Sequence, residues 1–235
     1  MNKKLIKRNV ILGVLFLLPV MFVLILSLSK DNYNTLDVVK EKVVELPEND
    51  SNIQLEGHIT VLAFLGKKPL DKVIAASNLK ELVYDKFKGF KKFQIVAVVT
   101  SEAHKDAEEL YREIATYEDL RFWHFVYANE NEIIKTYKGL KTDFELDSNL
   151  STDNVFIIDT DLNQRGRIDD RTDNEKAKGK PIYGLNSYNC IEVAVIKNKM
   201  GSEDLRVLFT EYRQKRKGNF DSTSRRANDL NESNE

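Results

Sequence analysis

Nineteen consecutive residues without a charge, VILGVLFLLPVMFVLILSL from Val10 to Leu28, constrain this chain more than any other feature. A helix rising about 1.5 Å per residue carries such a run just across a hydrocarbon core of roughly 30 Å. Lys3, Lys4, Lys7 and Arg8 precede it. The positive-inside rule then holds residues 1–9 in the cytoplasm and sends everything after residue 28 outward. The run exceeds the usual apolar region of a signal peptide, and its exit, LSLSKDNY, offers no A-x-A cleavage site. Residues 10–28 are therefore expected to remain as a transmembrane signal anchor, single-pass in the cell inner membrane, with the C-terminal domain on the periplasmic, extracytoplasmic side.

The rest of the 235 residues suffices for one domain with its own core. Lys+Arg 36 against Asp+Glu 37 leaves a net charge of -1, which gives a nucleic-acid role no support. A single cysteine, Cys190, excludes an intrachain disulfide and any multi-thiolate metal site. It reads as a small, semi-buried apolar residue. Residues 29–54 are polar with scattered Val and Leu and include Pro47, which predicts a stalk with at most one short element.

From His58 the pattern changes. HITVLAFLG is an apolar run closed by glycine, as in a strand buried on both faces. Val73, Ala76, Leu79, Val83 and Phe87 recur at helical spacing and predict a helix over 71–88. FQIVAVV (93–99) and FWHFVY (122–127) predict two more strands. Between them a helix opens at Ser101, and Glu130 to Leu140 gives a short one. NVFIID (154–159) is a fourth strand, turned back through Asn163 and Gly166 into a hairpin partner, before a polar loop over 169–180. The last helix is predicted from an N-cap at Ser202 to about Lys215; periodicity leaves 186–200 undecided between strand and helix. Residues 218–235 are too polar to pack and are expected to be disordered. The order β-α-β-α-β-α-β-β-α predicts an α/β fold, a thioredoxin-like mixed β-sheet flanked by helices, over residues 55–217.

With that order in place, HITVLAFLG, FQIVAVV, NVFIIDTDLNQRGRIDDR and MGSEDLRVLFTEYRQKRK together resemble the SCO/SenC group of membrane-anchored, thioredoxin-fold copper chaperones. In that family the turn after the first long strand holds two cysteines as C-x-x-x-C, and a histidine stands just before the later strand. Two thiolates and an imidazole suit copper, and the thiols can exchange disulfides. Here the turn reads GKKPLDK, with Gly66, Lys67, Lys68 and Pro69 where the thiols belong, and the histidine's place falls on or near Ser151. The resemblance thus implies a degenerate active-site turn with no cofactor, and respiratory oxidase biogenesis as the setting.

Three functional expectations follow. The first is a non-catalytic binding or assembly module with an envelope or respiratory-complex protein as partner. The second is a single-thiol enzyme using Cys190, and the third a structural subunit of an envelope complex. The densest polar feature, Arg165, Arg167, Asp169, Asp170 and Arg171, is a candidate partner-docking edge against the alternative of solvated cross-strand ion pairs. Asp159, Asp161, Asn163 and Asp170 mimic the spacing of a calcium loop, but Gln164 occupies its glycine position.

Overall fold

A strand covered on both faces needs apolar side chains at consecutive positions, because successive residues point to opposite sides. Three runs in this chain meet that condition, and they form the centre of the sheet. The computed structural model describes residues 3–28, 35–116 and 118–216. It divides into two compact units at Asn34/Thr35. The first holds helix α1 (Lys3–Leu28), 26 residues with Pro19 inside it. Side chains are described on α1 continuously only over 9–25, and among the described residues no helix is long and apolar enough to cross a membrane.

The second unit begins with β1 (Asp37–Lys40) and continues into β2 (Ile59–Gly66), every residue of which is buried. A 3-10 turn (Pro69–Lys72) leads into α2 (Val73–Leu79), a π-helical turn (Lys80–Tyr84) and α3 (Asp85–Phe87). Then follow β3 (Phe93–Thr100), α4 (His104–Ala115), β4 (Trp123–Ala128), α5 (Glu130–Lys138), β5 (Asn154–Ile158) and β6 (Gln164–Gly166). After α6 (Asp173–Ala177) and β7 (Tyr188–Asn189), a second π-helical stretch (Val195–Asp204) passes without a break into α7 (Leu205–Arg216).

The sheet runs β1-β6-β5-β2-β3-β4, with β7 paired to β5. Strands β2, β3 and β4 are parallel; β5 and β6 return antiparallel, and β1 is antiparallel to β6. Val61, Ala63, Ile95, Ala97 and Ile157 face a core closed by α2, α4 and α7. Leu62, Phe64, Val96, Val98 and Phe156 face a second one, closed by Ile133 and Tyr137 of α5. A central parallel pair joined by a helical crossover, an antiparallel hairpin and a closing helix make the fold thioredoxin-like.

Several expectations are corrected. The described part of the stalk belongs to the domain: Leu36, Val39, Val43 and Leu46 are buried, and β1 borders the sheet. The helix over 71–88 is interrupted by the π turn, which periodicity does not reveal. Ser101 lies outside α4, whose N-cap position is Ala103 with no side-chain cap. Gly166 lies in β6 rather than in the turn; the turn is held by Asp159, whose Oδ1 accepts from the Asp161 and Asn163 amides, both at 2.9 Å. The polar loop over 169–180 contains α6, capped reciprocally by Thr172 and Glu175. Ser202 caps nothing; it lies inside a continuous helix, donating from Oγ to the Lys197 carbonyl at 2.7 Å. That helix also decides most of 186–200. Residues 29–34 and the tail expected to be disordered, 218–235, lie outside the described residues.

Candidate functional site

Strand β2 ends where its backbone turns left-handed, at Gly66 with φ +62. A Cβ at this position would run into the carbonyl oxygen of Asn149, so only glycine lets the loop over 147–152 lie against the strand end. The two segments are then joined by backbone. Lys67 N–H donates to the Asn149 carbonyl at 2.8 Å, and Thr152 N–H to the Phe64 carbonyl at 3.0 Å. The fold thus brings the turn that includes Gly66, Lys67, Lys68 and Pro69 beside Ser151, the two places the family resemblance pairs.

The contact is filled. Asp147 folds its loop by accepting the Asn149 amide at 2.8 Å, the Ser151 amide at 2.9 Å and the Ser151 hydroxyl at 2.7 Å. Lys72 Nζ reaches across to Asp153 Oδ1 at 3.0 Å and Asp147 Oδ2 at 3.8 Å. Burial pushes the Asp147 carboxyl up, but the Ser151 and Asn149 donors and the Lys72 ammonium outweigh it and hold it below its ordinary value. Ser151 is buried, Pro69 is buried at the start of the 3-10 turn, and the exposed Lys67 pairs with Glu130 at 2.6 Å. Lys68 is exposed. Lys72, Asp147 and Asp153 were missed as members of this cluster. The only available signal was the Asp147, Asn149, Ser151 alternation, which marks an Asp-initiated turn.

Two carboxylates and a hydroxyl are hard donors, the Lys72 ammonium has no lone pair to give a metal, and neither thiolate nor imidazole is among them. The set does not fit Cu(I), which soft ligands select, and its one hydroxyl, Ser151, is buried against Asp147. The remaining candidates sit elsewhere. Cys190 is 1% exposed, and burial, with the nearby Asp153 charge, pushes its thiol far up. His104 stacks on Tyr127, with ring centroids 3.6 Å apart. Burial, with His58 nearby, lowers the pKa of His124.

Within the charged hairpin, one residue is corrected. Arg165 is 7% exposed and unavailable to a partner. Its guanidinium lies 3.0 Å from Asp159 Oδ2 and 2.5 Å from Glu211 Oε2 of α7, and it donates to the Leu36 carbonyl at 2.6 Å. Leu36 N–H donates to the other Glu211 oxygen at 3.0 Å. Burial acts against both charges. Asp159 and Glu211 hold Arg165 firmly protonated nonetheless, while the Glu211 carboxyl is raised despite Arg165. The guanidinium shift governs, because that group keeps its proton and requires a counter-charge.

Arg167 follows the same pattern. It pairs with Asp204, which also accepts the buried Tyr188 hydroxyl at 2.7 Å, and it approaches Glu203 at 3.2 Å and Asp170 at 3.7 Å. Asp170 takes Lys199 at 2.8 Å, and Arg171 takes Asp169 at 2.9 Å. Arg165 and Arg167 do share a side of the chain, as alternation predicts, but the C-terminal helix covers that side. Arg165, Arg167 and Asp170 are thereby tied to the hairpin turn and the C-terminal helix, while Asp169 and Arg171 pair with each other and stay partly exposed. Asp159 and Asp161 are likewise committed, the latter to Lys215, and among the described residues no cluster of three or more potential ligands could hold a metal ion.

No protein-family model matches the chain, and no curated protein matches it. Solved structures that resemble it include BsSco, described as a member of the Sco family of cytochrome c oxidase assembly proteins and as having a disulfide switch. It is 13% identical, with 68% of this chain and 94% of that one covered at a TM-score of 0.37. A putative electron transfer protein from Aquifex aeolicus VF5 is 14% identical, with coverage of 56% and 85% and a TM-score of 0.38. Copper-bound ScoI from Arabidopsis thaliana is 15% identical, with coverage of 52% and 84% and a TM-score of 0.32.

Proposed function

We propose that this chain is a membrane-anchored, exported thioredoxin-like domain that works without catalysis, as a binding or assembly factor in the setting of respiratory oxidase biogenesis. One observation supports the non-catalytic reading above the others. The turn at Gly66–Lys72 is packed against the Ser151 loop and closed by the Lys72, Asp147 and Asp153 cluster, where redox or copper chemistry needs exposed soft donors. The oxidase setting follows from the sequence resemblance. The anchor follows from the uncharged run within α1 and the basic residues before it.

Copper competition tests the reading. Full-length protein in nonionic detergent is titrated with Cu(I) against a chromogenic chelator. The expected result is no more retained copper than an unrelated chain with one cysteine retains, and none that depends on the turn. A stoichiometric site that survives Cys190→Ser would overturn the proposal.

A further inference from the structure

Away from the degenerate turn, α3 and α7 enclose a groove of about 540 Å³. Its floor is aromatic. Phe90 stacks on Phe209 at 4.4 Å and Phe87 on Phe209 at 5.0 Å, and Phe90 remains 37% exposed. Its rim is basic. Lys86, Arg206 and Arg213 line it, all three are exposed, and no carboxylate residue lines it. Among the described residues neither Arg206 nor Arg213 has a carboxylate within ion-pair distance, and Lys86 makes only long bonds, 3.4 Å to Ser202 Oγ and 3.5 Å to the Lys197 carbonyl. In a chain of net charge -1, where Arg165, Arg167 and Arg171 are all paired, the groove gathers three cations without a carboxylate partner.

The backbone around the groove is specialised as well. Both π-helical stretches meet beside it, and π turns inside helices are frequent at functional sites. Gly201 makes the meeting possible: a Cβ there would lie 3.0 Å from the Leu82 and Ile196 carbonyl oxygens and 3.4 Å from Lys86 Nζ. The wide turn therefore sets Ser202 beside Lys86 at one end of the groove, with Arg213 about three turns further along the same continuous helix.

We propose that this groove docks an acidic segment of a partner protein that inserts one aromatic or aliphatic side chain. The cations meet its carboxylates, and the exposed edge of the Phe90–Phe209 stack takes the inserted group, as anchoring aromatics and arginines do at interface centres. A concave floor suits a side chain better than a flat lipid surface. The inference rests on the binding-module reading, but its test involves neither copper nor thiols, so either can fail alone.

The test uses full-length protein in nonionic detergent and a fluorescein-labelled peptide, Glu-Asp-Phe-Asp-Glu, read by anisotropy. Saturable, salt-sensitive binding is expected, with little or none for peptides carrying Lys in place of the acids or Ser in place of Phe. Arg206→Glu with Arg213→Glu should weaken it about tenfold or more, and Phe90→Ser should do the same. The arginine pair is exposed, so that variant stays interpretable if Phe90→Ser unfolds. Unchanged affinity in the arginine variant, or no saturation, would overturn the proposal. So would a lipid contact in place of a peptide site: in nanodiscs, hydrogen exchange over 86–92 slowed by phosphatidylglycerol but not by phosphatidylcholine alone, with no peptide binding.

Discussion

Arg165 shows how burial changes the meaning of a charged residue. On an exposed hairpin its removal would cost well under about 1 kcal/mol. Its side chain is only 9% exposed, however, and it holds together β6, the hairpin turn, the start of the domain at Leu36 and α7. Removing one partner of such a pair leaves the other buried and unmatched, so Arg165→Ala should cost about 3–5 kcal/mol in urea unfolding. Adding Glu211→Ala should cost clearly less than the sum of the two single changes. Additive losses below about 1 kcal/mol each would show that the pair is not coupled. Cys190 makes the complementary case. With its thiol buried and its pKa raised, it should react with Ellman's reagent only after denaturant is added. Rapid labelling of the native protein would restore the single-thiol reading.

At the scale of elements, α6 holds together through its cap. Thr172 N–H donates to Glu175 Oε2 at 2.9 Å, while Lys180 and Tyr183 approach the same carboxylate at 3.0 and 2.9 Å. The Thr172 amide above all, then Lys180 and Tyr183, lower the Glu175 pKa from 4.5 to about 2. A carboxyl depressed in the folded state contributes stability that is fully present above its unfolded value and is lost as pH falls through the folded one. The cap should therefore hold at pH 4.5 and open toward pH 2. The Glu175 carboxyl carbon shift, followed by NMR, should show a midpoint near 2, with Thr172 amide protection lost in parallel; a midpoint near 4.5 would mean the cap does not form in solution. The same element was unreadable from the sequence as a helix because five residues carry no apolar period. Its capping pair, Thr172 and Glu175, was the only local mark.

At the scale of the whole molecule, topology is the claim to test. A reporter active only in the cytoplasm, fused after Lys217, should be silent, and activity there would reverse the proposed orientation. The sequence by itself determined what depends on neighbours along the chain. HITVLAFLG had to be a two-faced strand, the Asn154–Ile158 strand had to turn back, and a turn without cysteine or histidine offers no soft metal ligand. What depends on distant segments was decided only in three dimensions. Asp37 to Lys40 read as stalk until β6 offers them an edge to pair with, and Arg165 and Arg167 read as a wet surface until α7 covers them. Phe90 and Arg213 lie far apart in the chain and become one groove only when α7 packs on α3. Periodicity reports which side of an element is apolar, but a charge or an edge gains its meaning from the segment that packs against it, and that segment is set by the tertiary fold.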